Sequence, residues 1–225
     1  MGMKLRWLCV AGAMLLAGVG QAAQTGGLAS PLGAGGVAGS VALGYGERDV
    51  RDGREDDVAT RRALVRGQFG VADGLDLYGT VGLGDLRFDR ADFRGSLGES
   101  FGAGVRLGLL HFPESAFRLV LDLQGEYLRS TDGSKRVRHQ AYHVATYLVR
   151  EVGAARRVAY FFPYGGVRVS YARYDANRGL ADYENDDFVG VFGGVDYFVN
   201  PHVFFSGELH LFDENSLYVG VGYRF

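Results

Sequence analysis

From residue 37 onward the chain is written almost throughout in a two-residue rhythm. In Leu217, Val219, Val221, Tyr223 and Phe225 every second residue is apolar, with Tyr218, Gly220, Gly222 and Arg224 between them. Successive side chains of a strand point to opposite faces, so such alternation marks strands with two unlike surroundings. Ten runs of this kind occur. The first five are Val37 to Tyr45, Ala63 to Val71, Leu75 to Leu83, Phe101 to Leu109 and Phe117 to Tyr127. The others are Ala141 to Val149, Phe161 to Tyr171, Val189 to Tyr197, Val203 to Leu211 and Leu217 to Phe225. No long stretch has a 3.6-residue apolar period, and none beyond the first 23 residues is long and apolar enough for a membrane helix.

The gaps alternate as well. Ala72 to Gly74, His111 to Ala116, Gly153 to Arg157 and Asn200 to His202 are short. Glu47 to Asp57, Phe88 to Gly98, Ser130 to Arg138 and Asp175 to Asp187 are longer and polar, and Asp213 to Ser216 is a short last one. Short turns at one end and longer loops at the other are the pattern of a barrel in an outer membrane. The expected fold is all-β: a transmembrane, antiparallel, up-and-down β-barrel of about ten strands, or eight if the short last hairpin is misread. An even count puts both chain ends on the periplasmic side. The aromatic residues fit two girdles. Phe69, Phe117, Tyr147, Phe161, Tyr197, Tyr223 and Phe225 lie toward the short turns, and Tyr45, Phe101, Tyr127 and Tyr171 toward the long loops. A soluble, lipocalin-like barrel would turn its apolar residues inward instead.

The N-terminus reads as a secretory signal. Lys4 and Arg6 precede the apolar run Leu8 to Val19, and small residues around Ala22 and Ala23 follow. Residues 1–23 are therefore expected to be a cleaved signal peptide, 24–36 a flexible periplasmic lead, and 37–225 the barrel. The one cysteine, Cys9, lies in the signal, so the mature chain has no disulfide or thiol chemistry. Loss of Lys4 and Arg6 takes the formal charge from -2 to -4, which argues against nucleic-acid binding. The 36 glycines show no G-X-Y period, which excludes collagen. The 15 Phe and 13 Tyr exclude a disordered chain. Gly44 to Asp49 and Gly79 to Gly84 superficially suggest nucleotide loops, but neither opens a helix.

The alternating apolar end with Tyr223 third from last and Phe225 last resembles the C-terminal assembly signal of bacterial outer-membrane proteins. The resemblance implies that these two residues are read by the barrel-assembly machinery. By architecture the whole mature chain resembles small outer-membrane barrels of the OmpA-like type, which implies a place in the outer membrane of a Gram-negative cell.

The other face of the strands would line the lumen: Arg62, Arg66, Gln68, Tyr78, Thr80, Arg106, Asp122, Gln124, Glu126, Thr146, Arg168, Ser170, Asp196, Ser206, Glu208 and His210. Arg66, Arg106, Asp122, Arg168 and Glu208 fall near mid-height. Charges in so narrow a space are expected to pair, since isolated buried charge is very costly. A ten-stranded lumen is little wider than one that side chains can fill. The expectation is a filled lumen with recognition in the long loops, and no enzyme, cofactor or metal. The alternatives are a narrow channel for ions or small solutes along the same residues, and a membrane-embedded hydrolase. Glu208-x-His210 loosely resembles the carboxylate and histidine of ten-stranded outer-membrane omptin proteases, with Glu in place of Asp. His143 is read as the one lipid-facing histidine within a run, without the H-x-S pattern that a lipid-A deacylase would need. His139 is read as a loop residue. The acidic gap at Asp182, Glu184, Asp186 and Asp187 could meet lipopolysaccharide through cations, although it lacks EF-hand spacing. Expected partners are outer-membrane lipids, lipopolysaccharide and the assembly machinery, with no nucleic acid, around a monomer.

Overall fold

The computed structural model describes residues 28–51, 55–89, 92–152, 160–177 and 182–225. The signal peptide, the first residues of the lead and the turn at Gly153 to Arg157 lie outside the described residues. The strands are β1 (Val37–Arg51), β2 (Glu55–Ala72), β3 (Leu75–Phe88), β4 (Phe93–Arg94), β5 (Gly98–Phe112) and β6 (Phe117–Asp132). They continue with β7 (Lys135–Arg150), β8 (Tyr160–Ala176), β9 (Tyr183–Asn185), β10 (Val189–Phe198), β11 (Val203–Leu211) and β12 (Asn215–Arg224). Among the described residues there is no helix. The short β4 and β9 decorate the outer loops, and the other ten strands form the wall.

Each wall strand pairs antiparallel with its neighbours. The ring closes where β12 meets β1, from Ala38 opposite Arg224 to Glu47 opposite Asn215. At the far side β10 pairs directly with β8, from Val189 opposite Val169 to Phe198 opposite Tyr160. Closure leaves no open sheet edge, which is what lets a β-structure cross a bilayer. Val41, Leu43, Val65, Val81, Val167, Leu209 and Val219 all point outward and are exposed. This apolar belt, with Tyr45, Phe101 and Tyr171 at one rim and Phe69, Phe161, Tyr197 and Tyr223 at the other, is the lipid-facing surface of an integral outer-membrane barrel.

The sixth apolar run is turned the other way from the sequence reading. Ala141, His143, Ala145, Tyr147 and Val149 face the lumen and are buried, while Tyr142, Val144 and Leu148 face lipid, with Thr146 on their side. Cross-strand partners share a face, and Ala145 stands opposite Arg168 and His143 opposite Ser170. Both faces of this strand carry apolar residues, so its own alternation did not say which was inner; the charged partner on β8 does. Tyr147 therefore leaves the inner girdle, and Tyr142, opposite Tyr171, joins the outer one. His139 is likewise a lumen residue of β7 and not a loop residue.

Two further readings change. Two of the long outer gaps, Glu47 to Asp57 and Ser130 to Arg138, are largely strand. β6 and β7 run on as a paired arm to Asp132 opposite Lys135, closed by a two-residue turn in which Gly133 has φ 56. The lead, read as flexible, is held inside the inner mouth over residues 28–36. Leu28, Ala29 and Leu32 are buried, and the Gly35 N–H donates to the Gly70 carbonyl at 2.8 Å.

Inside, the shaft is layered. An apolar cluster of Val50, Val58, Leu86, Phe88, Phe93, Leu128, Val137 and Tyr174 fills the outer end. At the inner end Leu28, Leu32, Ala38, Phe198 and Phe204 form a floor. A third cluster around Val120, Tyr147, Tyr164 and Phe192 packs above it. The charged groups lie between these lids. Close fit there uses glycine as a missing side chain: a Cβ on Gly104 would come within 2.2 Å of the Tyr78 ring opposite it.

The reversed face of β7 is directly testable. Val144→Arg should lower the unfolding free energy of refolded protein in bilayers by about 2–4 kcal/mol, the cost of a cation on the lipid face near mid-depth. Arg at Thr146 should act in the same direction. A urea titration in which Val144→Arg is silent would return this strand to the opposite orientation.

Candidate functional site

The candidate site is the charged middle of the lumen. The alternation of each wall strand places its polar residues there. All sixteen side chains assigned to the lumen from sequence are buried except Thr146. The pairs divide the shaft into local units. Arg106 donates through Nε to Asp122 Oδ2 at 2.9 Å, and both are fully buried. Tyr78 donates to the other oxygen of Asp122 at 2.5 Å, and its ring carries the Arg66 guanidinium 3.7 Å above its centre. Arg66 is thus stacked on an aromatic face beside an ion pair, an arrangement suited to a planar, weakly hydrated cation.

Glu126 joins three cationic or basic neighbours. Arg62 holds it through two nitrogens, the second at 3.2 Å, with His139 Nδ1 at 3.4 Å and His143 Nε2 at 4.0 Å. His139 in turn stacks on Tyr174, with ring centres 4.5 Å apart. Glu208 and His210 meet at 2.5 Å, and Glu208 also accepts the Tyr164 hydroxyl at 2.8 Å. His210 packs between the rings of Phe192 and Tyr218.

Arg168 finds its partners where the sequence showed none. The turn between β11 and β12 bends at Phe212, a non-glycine residue with φ 81, and the next two side chains, Asp213 and Glu214, are both buried. Asp213 accepts from Arg168 Nε at 2.8 Å and Ser170 at 2.7 Å. Glu214 accepts from Arg48 at 2.6 Å and lies 3.6 Å from Arg168. Two consecutive inward carboxylates violate the strand rhythm, so alternation alone could not have found them. Arg48 was within reach of sequence reasoning: it continues the inner register of β1 past Tyr45. The expected pairing at one level is therefore distributed over Arg106–Asp122, Arg62–Glu126 and Arg168–Asp213, while Glu208 takes a histidine and a tyrosine. Among the described residues no group of three His, Cys, Asp or Glu is placed to hold a metal ion.

Outside the belt, Arg51, Arg173, Asp182, Glu184, Asn185, Asp186 and Phe188 border an open cleft of about 540 Å³ beside β9. Next to it Asp49 stands opposite Asp57. Burial first, and Asp57 second, raise the Asp49 carboxyl above the ordinary carboxylate range. At the inner rim Tyr223 stacks on His202 at 5.4 Å and meets the Phe225 ring at 5.0 Å. The Phe225 N–H donates to the Val37 carbonyl at 2.9 Å, and its side chain is 75% exposed.

No family model matches the chain, and no curated protein matches it. Among solved structures, the translocator domain of autotransporter NalP from Neisseria meningitidis is 11% identical, with 99% of this chain and 95% of that one covered and a TM-score of 0.41. The outer membrane protease OmpT from Escherichia coli is 10% identical, with 84% and 95% covered and a TM-score of 0.42. The COG4313 outer membrane channel from Pseudomonas putida F1 is 11% identical, with 90% and 100% covered and a TM-score of 0.44. Likenesses at this level carry no inference about activity.

Removing one member of the driest pair should cost more than removing both. Arg106→Ala or Asp122→Ala takes the ion-pair partner from a buried charge and should destabilise the barrel by about 3–5 kcal/mol. Arg106→Met combined with Asp122→Leu should recover most of that loss. Denaturant midpoints of the three variants decide this, and equal losses in all of them would remove the pairing argument.

Proposed function

We propose that this protein is an integral outer-membrane barrel with a structural or surface-interacting role, its lumen closed by its own side chains and its recognition carried by the outer arms. The observation that carries the reading is the filling of the shaft. Apolar lids stand at both ends with paired charges between them. The space beside Arg62, His139 and Tyr174 measures about 10 Å³, room for one water at most. A space of this size does not suit a hydrated ion, which supports the closed reading. The outer cleft between Arg51, Arg173, Glu184 and Phe188 offers polar and aromatic groups on the arms, where a barrel scaffold presents binding residues.

On this reading the protein is not an enzyme. Glu208 and His210 are 2% and 0% exposed, enclosed by Tyr164, Phe192 and Tyr218, which suits a packing role better than catalysis. The proposed partners are outer-membrane lipids, lipopolysaccharide and, through Tyr223 and Phe225, the barrel-assembly machinery, with a monomer as the working unit. Kinship with OmpA-like barrels is proposed at the level of architecture. A leader removed near Ala22 would deliver the chain to the envelope.

Single-channel recording of the refolded mature chain in a planar bilayer tests the central point. The expected result is silence from protein whose heat-shifted gel mobility shows it folded. Steady openings whose ion selectivity changes with Arg66→Ala or Arg168→Ala would make the protein a narrow channel instead. Deletion of Phe225 should slow insertion into the outer membrane in cells while leaving the refolded barrel closed. Unchanged insertion would remove the assembly role of that residue.

A further inference from the structure

The inner mouth carries two carboxylates, Asp76 and Asp196, that the lumen pairs do not use. Asp76 and Asp196 are fully buried, yet among the described residues neither forms an ion pair. Their partners include backbone N–H groups of the segment before β1. Asp196 accepts from the Ala29 N–H at 2.6 Å, and Asp76 accepts from the Leu32 N–H at 3.1 Å. The carbonyls of the same segment are met by donors: Ala29 by the Tyr147 hydroxyl at 3.0 Å, Leu28 by Arg106 and Leu32 by Arg224 at 3.3 Å. Leu28 and Leu32 pack in the socket of Ala38, Phe198 and Phe204. Carboxylates for N–H groups, two arginines and a tyrosine for carbonyls, and an apolar socket for two leucines four positions apart are the components of a site for a short peptide.

The tether of this segment is built to turn. Gly33 and Gly35 have φ 79 and 78, the left-handed region that favours glycine. Gly35 is bonded to Gly70 of β2, so Gly33, between Leu32 and that anchor, is the residue at which a change can swing the segment without altering the wall.

We propose that the inner mouth of the barrel is a peptide-binding site, filled in cis by residues 28–32 through the glycine hinge. The same site takes in trans a short, uncharged peptide of the form Leu-x-x-x-Leu in the bent conformation of residues 28–32. This goes beyond the closed-lumen reading and does not depend on it. A conducting wild-type barrel would overturn that reading and leave the peptide test as it stands.

The probe is a labelled synthetic peptide with the sequence of residues 25–36, added to the full mature chain in detergent. Ala29→Pro removes the N–H that Asp196 accepts, and Leu32→Asp disfavours the apolar socket. Together they should vacate the site. The double variant should then bind the peptide saturably by fluorescence anisotropy, while wild-type protein, occupied in cis, binds it at least about ten-fold more weakly, the scale of one hydrogen bond to a charged group. Adding Tyr147→Phe or Asp196→Asn should weaken peptide binding to the double variant. Absence of saturable binding to a double variant whose heat-shifted mobility shows an intact barrel overturns the proposal. A second measurement needs no vacated site. Cys9 is the chain's one cysteine, so Ala29→Cys would carry the single thiol of the mature chain. That thiol should react with a water-soluble reagent much faster than the barrel unfolds. Reaction only at the rate of global unfolding would mean a permanently fixed segment and would overturn the exchange.

Discussion

The pairing of β12 with β1 is the constraint from which the rest follows. In a bilayer each backbone N–H and C=O must find its partner within the protein, and a sheet of ten strands achieves this only by closing on itself. Closure fixes an inside and an outside for every residue. The outside must be apolar at membrane depth. The inside then receives whatever the alternation leaves, which here is a concentration of arginines and carboxylates. In so narrow a lumen, between the Phe88 and Phe198 clusters, the charged side chains are buried against one another. Arg106 needs Asp122, Arg62 needs Glu126 and Arg168 needs Asp213, because the alternative is an isolated buried charge.

Some lumen contacts also tie together strands that are not neighbours. Arg62 on β2 reaches Glu126 on β6, and Tyr164 on β8 reaches Glu208 on β11. Wall ladders join only neighbours. These lumen contacts skip one or two intervening strands and resist flattening of the wall between them. This gives the buried polar groups a role in shape as well as in satisfying one another.

Much of the barrel was legible in the sequence because the governing signal is local and regular. Period-two runs, alternating gap lengths and two aromatic rims identified the ten strands, and inner and outer faces were right for nine of the ten runs. The tenth, at Ala141 to Val149, failed because both of its faces carry apolar residues. Only the non-local register against Arg168 distinguishes them. Asp213 and Glu214 were missed for a different reason. Their shared direction depends on one left-handed residue, Phe212, and alternation says nothing about where it will break. The segment at residues 28–36 looked like a linker by its glycine content. Its order comes from partners at Asp76, Asp196 and Tyr147, all at least forty residues away in the chain.

The turn after β11 has a consequence for how the ring is locked. Asp213 grips β8 through Arg168, and Glu214 grips β1 through Arg48. One three-residue bend therefore holds β8, which lies beyond β10 on one side of the last hairpin, and β1 on the other, and one of its two grips lies across the seam where the end of the chain meets its beginning. It acts as a clasp. The clasp can engage fully only once β1 has arrived beside β12, so it reports completion of the ring and then opposes its reopening. A barrel latched in this way would part elsewhere along its wall before it parted at the seam that closed last.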